Sequence, residues 1–107
     1  SADASSSVYA TEKTLARASL RTGDVDLYEI NEAFSVVAMV AMQKLSLDHA
    51  KVNVRGGAVA LGHPIGASGA RLVVTLLHAL EDRKLKRGLA TLCIGGGEAV
   101  AVLIERS

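Results

Sequence analysis

The sequence predicts an α/β domain in which helices layer a mixed sheet and the last strand runs antiparallel to the one before it. Apolar periodicity alternates between helical and strand spacing, in the order helix, strand, helix, strand, helix, strand, strand. The 10 glycines fall largely between these segments. Gly95, Gly96 and Gly97 separate two closing apolar runs, which reads as a tight hairpin.

A chain of 107 residues fits one small domain. With 50% hydrophobic and 21% charged residues and a net charge of +1, it is neither disordered nor a polybasic nucleic-acid arm. The single Cys excludes an internal disulfide. Nothing resembles a signal peptide, so a reducing, cytoplasmic setting is expected, or an organelle matrix in a eukaryote. No apolar run approaches the roughly 20 residues that span a bilayer, so no membrane partner is expected. Aromatic residues are 3%, which leaves Val, Leu, Ile and Ala to build the core.

Ser1 to Ser7 are small and polar without apolar period, and read as a disordered lead-in or expression remnant ahead of a domain over 8–107. Val8 to Leu20 suit an amphipathic helix that Gly23 stops. Val25 to Ile30 read as a strand leading into Asn31, a competent N-cap for a helix over Glu32 to Leu47. Val52 to Val54 form a short strand, and glycines then punctuate a loop around His63 and Pro64. A third helix covers Ala67 to Lys84, and strands cover Leu89 to Ile94 and Ala99 to Ile104.

The second and third helices carry apolar stretches with no polar face, Val36 to Met42 and Leu72 to Leu77. An outer-layer helix buries one stripe only. Both therefore want cover on two sides, which implies a large partner surface.

Polar, glycine-backed residues concentrate in three segments: Asn31-Glu32-Ala33-Phe34, Gly62 to Arg71, and Cys93-Ile94-Gly95-Gly96-Gly97. Each follows a strand end, where open α/β sheets bind ligands. His63 and Cys93 are the raw material of a proton-transfer or nucleophile pair, and bare glycine N–H groups suit a developing oxyanion. Taken singly the same residues also read blandly. His63 suits a carbonyl-bonded loop histidine, Cys93 an inert buried hydrophobe, Asn31 a cap and the glycines a turn. Gly62, Gly66 and Gly69 miss both phosphate-loop patterns, so no nucleotide site is expected. His49 and His78 read as surface or packing residues, and no metal-ligand spacing occurs.

Jointly, in order and interval, the three segments resemble the C-terminal signatures of thiolases: the Asn-Glu-Ala-Phe segment, the Gly-His-Pro loop and the Cys-x-Gly-Gly-Gly turn. The resemblance runs from about Val8 to the end. It implies that His63 activates a nucleophilic cysteine and helps hold the thioester oxygen, while Cys93 moves the proton at the α-carbon of the second acyl-CoA. Asn31 would hold a water that completes one oxyanion hole with His63, and the Gly95 N–H would serve the other. Phe34, with Ala33, would line the acyl and pantetheine pocket. The implied reaction is the reversible Claisen condensation of acyl-CoA, as in fatty acid metabolism. Coenzyme A thioester is then a substrate, and no cofactor or metal is expected.

Thiolases are several times longer. The nucleophilic cysteine belongs to an N-terminal half, as does the partner surface that the two apolar helices call for, so the layered sheet is incomplete without that half. The family's central first strand would precede Val8, and Arg55 stands where many relatives carry Asn. The expected partners are acyl-CoA or CoA and a complementary N-terminal half, with homo-oligomers common in the full-length family. Two other readings are a non-catalytic interaction module that keeps the fold, and a self-sufficient Cys/His thioesterase or acyltransferase with Cys93 as nucleophile.

Overall fold

A computed structural model describes residues 4–31, 35–53, 65–95 and 98–106. Helices α1 (Ala4–Arg17), α2 (Ser35–Leu45) and α3 (Ile65–Arg83) accompany strands β1 (Leu27–Asn31), β2 (Arg87–Gly95) and β3 (Glu98–Glu105). The sheet order is β1-β2-β3, with β1 parallel to β2 and β3 antiparallel to it. This is the predicted mixed sheet with its last strand reversed. Short 3-10 turns at Thr22–Asp24 and His49–Lys51 complete the connections.

Strand alternation sends the two faces of β1 to two different cores. Tyr28 and Ile30 pack with Val25, Leu89 and Val52 beneath Leu15 of α1 and Ala41 and Met42 of α2. Leu27 joins Ala90 and the α3 residues Leu76, Ala79 and Leu80 on the other side. The domain is thus layered α1 and α2, sheet, α3. Some of the apolar surface that the two helices were expected to leave uncovered is seen: Met39 on α2 is 52% exposed and Val74 on α3 is 50% exposed.

Several boundaries differ from the sequence reading for identifiable reasons. Helix α1 begins at Ala4 rather than Val8, because Ser7 is buried and continues the stripe of Ala10, Thr11 and Leu15 at helical spacing. Its stop is Ser19, at φ 58, and not Gly23. There Leu20 donates its N–H to the Leu15 carbonyl at 2.9 Å and Ser19 to that of Ala16 at 3.1 Å. Helices α2 and α3 end the same way, at Ser46 (φ 56) and Lys84 (φ 56). Leu47 bonds back to Met42 at 2.9 Å and Leu85 to Leu80 at 2.8 Å. All are Schellman closures with an apolar pair, and that pair compensates for a left-handed residue that is not glycine.

Asn31 is the last residue of β1 and α2 is described from Ser35, so the expected cap contact of Asn31 lies outside the described residues. The expected strand at Val52 to Val54 is a single parallel bridge between Val52 and Tyr28, with residue 54 outside the described residues.

At the amino-terminal end of the strands, Asp26 accepts the N–H groups of Lys86 and Arg87, each at 2.9 Å, on one carboxylate oxygen. These bonds hold its pKa below the usual carboxylate value. Tyr28 donates its hydroxyl to the Thr22 carbonyl at 2.7 Å, and burial pushes its pKa up to about 12.

Gly88 in β2 is required by close approach. A Cβ there would stand 2.8–2.9 Å from Cγ, Cδ1 and Cδ2 of the fully buried Leu76. Gly88→Ala is expected to cost about 1–3 kcal/mol by overpacking. In a Leu76→Ala background that removes the clashing atoms, the same change should cost almost nothing. Urea unfolding of the four proteins of this cycle checks the contact, and additive costs would rule it out.

Candidate functional site

The register of the parallel pair brings two of the chemical segments together. Asn31, at the carboxyl end of β1, lies opposite Leu92 of β2, and Cys93 is the next residue along β2. Cys93 in turn pairs with Ala99 of β3, and an irregularity follows before Gly95 meets Glu98. Asn31, Cys93 and Gly95 thus occupy the carboxyl ends of adjacent strands, where an α/β sheet presents chemistry. Helix α3 runs back toward the start of β2 with Leu76, past its midpoint, against Gly88. Its first turns therefore lie toward the same end of the sheet. His63, Ala33 and Phe34, also singled out in the sequence, lie outside the described residues.

Two residues that the sequence reading passed over stand in β1 and beside it. Glu29, two positions before Asn31, is 0% exposed, and neither carboxylate oxygen has a hydrogen-bond partner among the described residues. It shares its strand face with Leu27 and pairs in register with Ala90, both members of the apolar cluster under α3. Burial raises its pKa from 4.5 to about 7. The signal was a Glu in the middle of an otherwise apolar parallel strand.

Asn53 is the other. Its N–H donates to the Tyr28 carbonyl at 2.8 Å. Its side chain then accepts the Ile30 N–H at 2.8 Å through Oδ1 and donates to the Ile30 carbonyl at 3.3 Å through Nδ2. Its φ of 50 is left-handed, a conformation that Asn tolerates better than most residues. Only its place inside the expected strand Val52 to Val54 hinted at this.

Among the described residues no group of three or more His, Cys, Asp or Glu could hold a metal ion. No described helix is long and apolar enough to cross a membrane.

Residues 3–106 match the family described as thiolase, C-terminal domain. The acetyl-CoA acetyltransferase of Escherichia coli (strain K12) is 58% identical over 99 residues, which cover 92% of this chain and 25% of that protein. The acetyl-CoA acetyltransferase of Cupriavidus necator is 54% identical over 99 residues, covering 92% of this chain and 25% of that protein. A probable acetyl-CoA acetyltransferase of Dictyostelium discoideum is 53% identical over 97 residues, covering 91% of this chain and 23% of that protein. The chain thus spans about a quarter of the length of these relatives.

Proposed function

Because the chain belongs to the thiolase family, as its C-terminal domain, we propose that it supplies the proton-transfer and oxyanion-binding side of an acetyl-CoA acetyltransferase site. In this reading the acyl group is carried as a thioester on a cysteine of a complementary N-terminal part. The Cys93 thiolate takes the α-proton of acetyl-CoA, leaving an enolate whose oxygen is held by His63 and by a water on Asn31. The enolate carbon attacks the acyl carbonyl, whose oxygen is held by the Gly95 N–H. The new C–C bond forms as the C–S bond to the nucleophilic cysteine breaks, and the proton that Cys93 took passes by way of His63 to the departing sulfur, which restores the Cys93 thiolate. Cleavage by CoA is the same path reversed.

Ala33 and Phe34 line the acyl and pantetheine channel. Coenzyme A is a substrate here and no resident cofactor is required. The setting is the cytoplasm or an organelle matrix, in fatty acid metabolism, and the assembled enzyme is a homo-oligomer.

The observation that carries the reading is the register that sets Asn31 and Cys93 on neighbouring parallel strand ends. Such groups act on developing charge only when fixed in place beforehand. The test is a fusion in which this chain replaces the matching C-terminal quarter of the Escherichia coli acetyl-CoA acetyltransferase. The fusion is expected to cleave acetoacetyl-CoA with CoA at a rate within about tenfold of the parent. A folded fusion with no cleavage would count against the proposal and favour a non-catalytic interaction module.

A further inference from the structure

We infer that Asn53 is a positioning residue for this site, acting through Ile30 on the end of β1 that carries Asn31; the inference rests on the function proposed above. Val52 pairs with Tyr28 as the next parallel strand would. At the next position the Asn53 side chain, rather than a backbone group, supplies the rung to Ile30. A carboxamide presents the same C=O and N–H pair as a peptide group, and here both are used on one residue, Ile30. Ile30 is 2% exposed, so its backbone groups would otherwise lose their partners in a dry environment.

The outer edge of β1 is therefore bonded as far as the residue before Asn31, while its inner edge is bonded to β2 up to the Asn31–Leu92 pair. Among the described residues, Asn53 makes the bonds to this outer edge at Ile30. A side chain that must hold a water for an oxyanion needs better than ångström placement. The positive φ belongs to the conformation in which the Asn53 side chain reaches both backbone groups of Ile30.

The experiment uses the fusion enzyme with Asn53→Gly and Asn53→Asp. Glycine accepts the positive φ and deletes the amide, so the backbone path is kept while the rung is lost. Aspartate keeps the acceptor for the Ile30 N–H but sets a second oxygen against the Ile30 carbonyl unless it is protonated. The expected result for Asn53→Gly is a kcat lower by about 10- to 100-fold with KM within about twofold. For Asn53→Asp, the kcat relative to the unsubstituted fusion should rise as pH falls through the carboxylate range. Hydrogen exchange on the chain itself should show the Ile30 amide released in Asn53→Gly, with exchange elsewhere in β2 and β3 unchanged. Full activity in Asn53→Gly, or loss of activity in step with global unfolding, would overturn the inference. Inactivity of the fusion before any change at Asn53 would instead overturn the proposed function, and the inference with it.

Discussion

In an active fusion, Cys93→Ala is expected to lower kcat for acetoacetyl-CoA cleavage by roughly 10²–10⁴-fold, the range associated with losing a positioned acid or base. Position supports a proton-transfer role: Cys93 sits near the end of a strand with an irregularity directly after it. The proposed division of labour makes the two half-reactions separable. Acetyl transfer from acetyl-CoA to the N-terminal cysteine does not use Cys93, so rapid-mixing experiments should still show stoichiometric acylation in Cys93→Ala while condensation fails. His63→Ala should slow both steps by a comparable factor, because it is assigned to the nucleophile and to the thioester oxygen. Equal loss of acylation in both variants would sink the assignment. Acylation of Cys93 itself would point to the self-sufficient acyltransferase.

The second large effect concerns stability. Glu29 titrates near 4.5 when exposed and near 7 when folded, so between those values the folded state binds more protons than the unfolded one. Stability is therefore fully present below about pH 4.5, falls as pH rises toward 7, and levels off above it. The rise from 4.5 to about 7 corresponds to roughly 3–4 kcal/mol at most. Glu29→Gln removes the titration and should be more stable than the native chain at pH 8, with the fall between pH 5 and pH 8 abolished. Asp26 acts in the opposite sense, because its pKa is lowered from 3.8. Its contribution is lost only as pH falls below that value, so the two windows do not overlap. Urea midpoints at pH 5, 6, 7 and 8 test this, and parallel pH curves for the two proteins would refute it.

Periodicity carried most of the fold. The alternation in Val25 to Ile30, the apolar runs Leu89 to Ile94 and Ala99 to Ile104 and the glycines between those runs place the elements and their order. Local closure was less legible. Gly23 looked like the end of α1 because glycine accepts left-handed backbone without cost, yet Ser19 takes that conformation with Leu20 folded back on Leu15. The decisive signal was a leucine after the turn rather than a glycine within it. Asn31 looked like the residue just after the strand, whereas pairing with Leu92 makes it the last residue of β1. Of the site, the sequence yields Asn31 and Cys93 as chemistry, but their adjacency is a matter of register, which no local pattern encodes. Glu29 and Asn53 escaped for the same reason, since burial of one and bonding of the other arise from strands distant in sequence.

The Schellman closures share one further property, which is where they lie. Those of α1 and α3 lead into the starts of β1 and β2, and there Asp26 clips the first residues of β2 while Arg106 returns to the Leu85 and Lys86 carbonyls at 2.9 and 2.7 Å. One pole of the domain is thus sewn shut by its own backbone, independently of anything bound at the other. Substitutions beyond the carboxyl ends of the strands can therefore be made without removing any of the bonds that close this base.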